Sequence, residues 1–443
     1  MITVEELKSK IINKGVRNVR RGITEEEGTS QGMYRPEVSL DLKRSRLLTE
    51  SYKITENDPI VMRRAKSLEY ILSNMNVYIQ EHERIVGNYA ASPGALMMAI
   101  ETNWKAYERM VTIGDARSLL DDEGRSELKE ICKYWDGKTL RDKQNRAFKG
   151  CEDLEKYWKY EGTFLWTHWY GLGIPNYEKL FKIGLKGIRA EAEARLSDVK
   201  KIIPFDYLEQ KDFLESVIIT LKAAITWAHR YAEKARELAM KEKSLERKKQ
   251  LEEIAATCDW VPENPPRTFQ EAVQSFWFIH LITRAIEFVS SGIGIRFDLL
   301  TGPFYKKDIG EGRITRDDAL DLMMRLWAMF EGVGKIRMQT ASGIYGGSGV
   351  IDVMTIGGVD KYGNDVTNEV TYLVLDTAEK MKTIQPSLAL RIHKGTPTEL
   401  LERATDVIST GIGYPSLFND EVLVPLLQRW KSTQQEARDY SCL

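Results

Sequence analysis

From residue 268 onward the chain alternates capped, apolar-periodic helices with short strand-forming runs, and nothing else in it restricts the fold as much. Thr268 to Glu271, Thr315 to Asp318 and Thr396 to Glu399 each have the spacing of a helix-start capping box. In the third, Pro397 takes the favoured first helical position. They open "EAVQSFWFIHLITRAIEF", "DALDLMMRLWAMFEG" and "ELLERATDVIST", each apolar at helical spacing. Between them "VIDVMTIGG" (350–358) and "PSLALRIH" (386–393) read as short buried strands. Helices alternating with buried strands imply an α/β layout with strands largely parallel.

Upstream of the proline-rich break "VPENPPRTF" (261–269), helical patterns dominate. "PIVMRRAKSLEYILSNM" (59–75) is one amphipathic helix, and "RYAEKARELAMKEKSLERKKQLEEIAATC" (230–258) reads as one long charged helix with a solvated face. "EGTFLWTHWYGLGIPNYEKLF" (161–181) has no period and many aromatics, so it either lines a cavity or plugs one end of a core. The expected organisation is a helix-rich N-terminal region, 1–260, and an α/β region, 261–443.

With 443 residues and 42% hydrophobic content the chain can bury a large core. Its 64 basic and 65 acidic residues nearly cancel, and no Lys/Arg run marks a nucleic-acid groove. No apolar stretch approaches the ~20 residues that cross a bilayer. The start, "MITVEELKSKIINKG", reads as neither signal nor transit peptide, so a cytoplasmic protein is expected. Cys132, Cys151, Cys258 and Cys442 lack paired metal-ligand spacing, and the five histidines form no HxH or HxxxH pair. No protein-held metal is expected.

In parallel α/β folds, ligands collect at the carboxyl ends of strands. Three glycine-rich junctions therefore matter: "SSGIGIRFD" (290–298), "ASGIYGGSGVIDVMTIGG" (341–358) and "GIGYPSLFNDE" (411–421). None is a P-loop or a dinucleotide fingerprint, and "GGSGV" is not a nucleophile elbow. Asp298, Asp352, Asp420 and Glu421 could do acid–base work, with caps or salt-bridge partners as the commoner use of such residues. His280 and His393 have apolar neighbours in sequence and read as hydrogen-bonded core histidines.

Several longer motifs, in order, carry a resemblance: "ENDPIVMRRAKSLEYILSNMNVYIQEHERIVGNYA", "PRTFQEAVQSFWFIHL", "RFDLLTGPFYKKDIGEGRITRDDALDLM", "TIGGVDKYGNDVTNEVTYLVLD", "QPSLALRIHKGTP" and "GYPSLFNDEVLVPLL". From about residue 55 onward the chain resembles the glycyl radical enzymes of the pyruvate formate-lyase type. The resemblance implies a ten-stranded α/β barrel of two parallel halves, surrounded by helices. It implies a finger loop carrying a cysteine that becomes a thiyl, and a C-terminal glycine that holds the radical. A partner activase using S-adenosylmethionine and an iron–sulfur cluster would install that radical, and a homodimer is the expected full-length form.

In this family the helix reading "EARDY" leads to the finger loop, and here "EARDY" is followed by "SCL". The catalytic cysteine is expected just past Leu443, with Cys442 out of register, and the glycyl loop is expected beyond. The chain thus resembles the N-terminal part of such an enzyme, carrying part of the substrate pocket and inactive by itself.

Relatives that dehydrate polyols carry His-Ser where Ser290 and Ser291 stand here. Leu172 takes the place of a family histidine and Asn176 that of an aspartate, with Ile293 and Ile295 close to Ser291 in sequence. An unpaired substrate hydroxyl costs ~1–3 kcal/mol, so a less polar or aryl substrate fits these replacements better than glycerol. Expected pocket residues are His168, Leu172, Ser290, Ser291, Tyr345 and Phe418, with core packing as the alternative at each. The implied activity is that of a decarboxylase-like or dehydratase-like lyase on a small organic substrate. A formate C-acetyltransferase-like or fumarate-adding (benzylsuccinate synthase-like) enzyme is the alternative, and an inactive remnant with a binding or assembly role is another.

Overall fold

In the computed structural model, residues 3–12, 39–93, 95–112, 119–151, 173–288, 294–333, 352–383 and 385–442 are described. The N-terminal helices are α1 (Val4–Ile12), α2 (Lys43–Ile54), α3 (Ile60–Asn74), α4 (Ile100–Thr112), α5 (Asp122–Trp135) and α6 (Leu140–Ala147). Side-chain caps start three of them: Thr3 and Glu6 exchange capping bonds at α1, Asp121 accepts the Gly124 amide, and Thr139 and Asp142 form a capping box. On α3, Ala65, Leu68, Ile71 and Leu72 face inward at helical spacing, matching the expected amphipathic helix.

Three longer helices follow: α7 (Tyr177–Ile202), α8 (Tyr207–Lys241) and α9 (Leu245–Trp260). A stripe of small residues on α8 (Ala224, Ala228, Ala232, Ala235, Ala239) is buried and lets α3, α7 and α9 pack closely along it. The segment expected as one helix over 230–258 is therefore two. The helix stops after Lys241, and Ser244 caps α9 by accepting the Arg247 amide at 3.3 Å. Ser next to a charged run can serve either as interior or as cap, and here tertiary packing selects the cap. Gly184 interrupts α7 with a left-handed φ of 64°, and a Cβ there would lie 2.3 Å from the Glu263 carbonyl. That opening lets Leu185 and Lys186 donate their amides to the Pro262 and Glu263 carbonyls of the proline-rich segment.

The next helix, α10 (Phe269–His280), is buried on nearly every side and sits in the core, with Phe276, Trp277 and Phe278 fully enclosed and Glu271, Gln274, Ser275 and His280 buried beside them. It continues as one π-helical stretch, Leu281–Ile286. After α11 (Phe297–Gly310) and α12 (Arg316–Gly332) come β1 (Val353–Gly357), α13 (Glu369–Met381), β2 (Ser387–Ile392) and α14 (Thr398–Ser409). The chain ends with β3 (Ser416–Asn419), α15 (Asp420–Arg429) and α16 (Gln434–Arg438). The three strands are parallel, in the order β1-β2-β3, with helices between consecutive strands as the alternating pattern requires. On the other side of β1, the Thr355 amide donates to the Ile295 carbonyl, so 295–296 extends the sheet by a single bridge.

Of the three expected capping boxes, Thr315 with Asp318 is complete. Thr268 caps from one side, because the Glu271 carboxylate turns to the Arg267 amide and guanidinium. The third does not form: Pro397 is the N-cap of α14, and the Thr396 hydroxyl instead accepts the His393 amide. One hydrophobic core takes in residues from Leu7 to Tyr414.

Candidate functional site

Side chains alternate across a strand, so each face of the sheet can be read from the register. Met354, Ile356, Leu388 and Leu390 point into the hydrophobic core with Val370, Leu373 and Val374 of α13. The opposite face therefore carries Thr355 on β1, Ala389 and Arg391 on β2, and Ser416 and Phe418 on β3. Thr355 is level with Ala389 and Ser416, and Gly357 with Arg391 and Phe418. Small or polar residues dominate this face, unlike the one under the helices.

Arg391 organises it. Its side chain has no exposure, and a guanidinium so enclosed needs partners for its charge and its donors. Asp420, the first residue of α15, accepts from Nε and Nη2, both at 2.9 Å. The remaining donors reach two backbone carbonyls beyond the strands: Nη1 to Tyr440 at 2.9 Å and Nη2 to Arg438 at 2.7 Å. The Tyr440 ring lies over the guanidinium, 3.9 Å from Cζ to centroid, and its hydroxyl donates to Asp420 Oδ1 at 2.8 Å. A second buried arginine, Arg296, holds the same segment through Asp439 (3.3 Å) and donates to the Gly357 carbonyl. Burial, and then the nearby Arg391 charge, pull the pKa of Arg296 down.

The segment so held continues to Cys442, whose amide donates to Thr355 Oγ1 at 2.9 Å on the middle of β1. The Cys442 thiol is buried, and that burial pushes its pKa up to about 11. It is therefore held as a neutral thiol, far from the activated thiolate of a nucleophilic cysteine.

The glycine pair after β1 has a structural reason. Gly358 has a left-handed φ of 81°, and a Cβ there would meet Arg391 Cβ and Nε at 2.7 Å. The pair leaves room for the Arg391 side chain to cross the end of β1.

Ion pairs also anchor the chain just before residues 289–293 and at the start of β1. Arg44 grips Glu101 with two hydrogen bonds (2.7 and 3.1 Å) and donates through Nε to the Ile286 carbonyl, just before residues 289–293. Arg64 bridges Glu101 and Glu287. Although burial opposes it, the Arg44 and Arg64 charges hold Glu101 down at a pKa of about 2. At the start of β1, Arg284 pairs with Asp352 at 2.8 Å and His280 lies 3.5 Å from the same carboxylate. Burial opposes it, but the Arg284 charge, with His280 beside it, holds the Asp352 pKa well below the carboxylate range.

Of the four carboxylates singled out in the sequence, Asp298, Asp352 and Asp420 are held by buried structural contacts. Asp352 and Asp420 are ion-pair partners. Asp298 is raised by burial and accepts from the Gly357 amide, the Leu299 amide and the Thr371 hydroxyl. The Glu421 amide is capped by Asn419. His393 pairs with Asp365 at 3.0 Å. Asn176 caps α7 by accepting the Lys179 amide, and Ile295 is buried.

Of the six expected pocket residues, Phe418 is described. It lies half-buried on β3, in register with Arg391. His168, Leu172, Ser290, Ser291 and Tyr345 fall outside the described residues. Thr355, Arg391 and Tyr440 were not foreseen, although an arginine inside an otherwise apolar strand followed by charge-bearing "NDE" was a usable signal. A separate cleft lined by Tyr78, His82, Asn88, Tyr89, Trp277 and Met329 shares no residue with this face. Among the described residues no cluster of three or more His, Cys, Asp or Glu side chains is arranged to hold a metal ion. No helix among them is long and apolar enough to cross a membrane.

Residues 13–443 match the family described as pyruvate formate lyase-like. An isethionate sulfite-lyase of Nitratidesulfovibrio vulgaris is 35% identical over 429 residues, covering 91% of this chain and 50% of that protein. A (2S)-3-sulfopropanediol dehydratase of Klebsiella oxytoca is 33% identical over 419 residues, covering 90% of this chain and 50% of that protein. The glycerol-bound B12-independent glycerol dehydratase of Clostridium butyricum superposes with a TM-score of 0.86 at 32% identity, covering 99% of this chain and 53% of that one. The chain spans about half the length of the curated relatives it matches.

Proposed function

Because the chain belongs to the pyruvate formate lyase-like family of glycyl radical enzymes, we propose that it forms the first part of a dehydratase- or lyase-type member. Residues 1–260 are its helical surround, and 261–443 contribute strands and helices to a ten-stranded barrel. The observation that carries this reading is the treatment of residues 438–442. Two buried arginines lay that segment over the polar face of a parallel sheet, as a chain about to enter a barrel interior would require.

In this reading the radical, installed by an S-adenosylmethionine-dependent iron–sulfur activase, supplies hydrogen abstraction through a cysteine beyond residue 442. This chain's own residues supply shape and enclosure. His168, Leu172, Ser290, Ser291, Tyr345 and Phe418 face the substrate, and the buried ion pairs keep the walls fixed and dry. The substrate class is a small molecule bearing a hydroxyl and an adjacent leaving group, by likeness to the sulfite-lyase and the sulfopropanediol dehydratase. The assembled enzyme is a cytoplasmic homodimer.

The test is anaerobic turnover by the complete gene product with its activase, offered isethionate, sulfopropanediol, glycerol and arylacetates. Release of sulfite or an aldehyde from the hydroxylated substrates supports the reading. Decarboxylation of an arylacetate alone would move the enzyme to the decarboxylase branch that the sequence at Leu172, Ser290 and Ser291 favours. A folded complete protein with no radical signal and no turnover would leave a binding or assembly role.

A further inference from the structure

The backbone after α16 has left the helix and joins no strand. In a sheet its polar groups would be met by a ladder; here they are met by side chains. Arg391 takes two carbonyls, Thr355 takes the Cys442 amide, and Arg296 takes the Asp439 carboxylate. The guanidinium that does most of this is itself immobilised, between the Asp420 carboxylate and the Tyr440 ring. A ladder can slip by two residues and re-form. Contacts from one rigid fork to two specified carbonyls cannot, so they define a single path for the chain.

We propose that Arg391 is a positioning residue. Braced by Asp420 and Tyr440, it latches residues 438–442 across the open face of the sheet and so sets where the chain that follows enters the site. That the following chain carries the reacting cysteine rests on the proposed function; the latch itself does not. Asp420, Tyr440 and Gly358 serve the same device, the first two as braces and the last by leaving its passage open.

Cys442 is a built-in reporter, because it lies at the far end of the latch while Cys132 and Cys258 lie buried elsewhere in the core and Cys151 is exposed. The experiment follows alkylation of all four thiols by peptide mass spectrometry at pH 8 in the intact chain. Wild-type, Arg391→Met, Arg391→Lys and Tyr440→Phe proteins are compared. A released segment exposes its thiol and lets it ionise, so Cys442 should react roughly tenfold faster or more in Arg391→Met. Cys132 and Cys258 should stay slow. Arg391→Lys should fall between, because an ammonium cannot supply the fork. Tyr440→Phe, which keeps the ion pair, should raise Cys442 alone by a smaller factor. If Arg391→Met loosens every buried cysteine, Tyr440→Phe decides. A selective rise at Cys442 upholds the latch, and no rise there overturns it, as does an unchanged Cys442 in a folded Arg391→Met protein.

The positioning role has its own readout in the activated complete enzyme. Arg391→Lys should lower kcat by about a hundredfold, the scale of an ångström-sized misplacement, with KM within twofold. Unchanged kcat would refute positioning while leaving the proposed function intact. Absence of turnover in the wild-type enzyme would refute the proposed function while the alkylation result still decides the latch.

Discussion

Replacing Glu101 by glutamine should weaken the protein substantially, and the size follows from its surroundings. The Arg44 and Glu101 side chains are 1% and 3% exposed, so little solvent screens the pair. Burial raises the Glu101 pKa, but Arg44 and Arg64 outweigh it and hold the group at about 2 rather than 4.5. That difference, at about 1.4 kcal/mol per unit, corresponds to about 3 kcal/mol of stability. Breaking a buried pair from one side costs about 3–5 kcal/mol by the general rule, which agrees. Because the folded pKa is depressed, the contribution is fully present above the unfolded value of 4.5 and is lost as pH falls through 2. Urea titrations followed by circular dichroism should therefore show Glu101→Gln less stable by about 3–5 kcal/mol at pH 7. The gap should narrow as pH drops from about 4.5 toward 2, where the wild type surrenders the same interaction. The double change Arg44→Met with Glu101→Met should recover most of the loss, since it leaves no buried charge unpaired. A gap under about 1 kcal/mol at pH 7, or one independent of pH, would refute the electrostatic account.

Gly358→Ala should destabilise by about 1–3 kcal/mol, from the left-handed backbone and the collision with Arg391, and should speed alkylation of Cys442. Denaturant titration beside thiol mapping checks both effects. Asp352→Asn removes the carboxylate charge that pairs with Arg284 at 2.8 Å and should cost about 3–5 kcal/mol at neutral pH. The depressed Asp352 pKa makes that contribution fully present above the ordinary carboxylate value of 3.8 and progressively lost as pH falls from there through the folded value, so the cost should be smaller at pH 3 than at pH 7 in denaturant titrations. Among the described residues β3 pairs only with β2, and Leu417, Val422 and Trp430 are 50%, 61% and 71% exposed beside it. The 443-residue chain expressed by itself should associate, and Leu417→Lys with Trp430→Glu should reduce the association. Light scattering across a concentration series would show it, and a monodisperse monomer throughout would contradict it.

The parts of the fold that were legible in the sequence are those specified locally. The spacing of Leu68, Ile71 and Leu72 foretells α3, and the apolar runs "VMTIG" and "SLALRI" foretell β1 and β2. β3 reads only as part of a glycine-rich junction, since "SLFN" is four residues long and largely exposed at the sheet edge, so no apolar pattern marks it. The break between α8 and α9 was hidden by a charged stretch in which Ser244 reads equally well as interior or cap. The latch could not be read in advance. Arg391 gains its meaning from Asp420, 29 residues on, and from the Tyr440 carbonyl, 49 residues on, and only the folded sheet brings the three together. Phe418 is singled out within its glycine-rich junction, and the fold puts it half-buried on β3 in register with Arg391, a neighbour the sequence does not reveal.

Residues 1–443 are proposed to be the first part of a thiyl-radical enzyme whose chain leaves the Arg391 latch to enter the barrel. The most direct measurement is to read the coding sequence past the codon for Leu443 in the source genome. The account predicts an in-frame Gly-Cys pair directly after it and a glycyl loop several hundred codons later. A stop codon at that point, with no second part in a neighbouring frame, would contradict it.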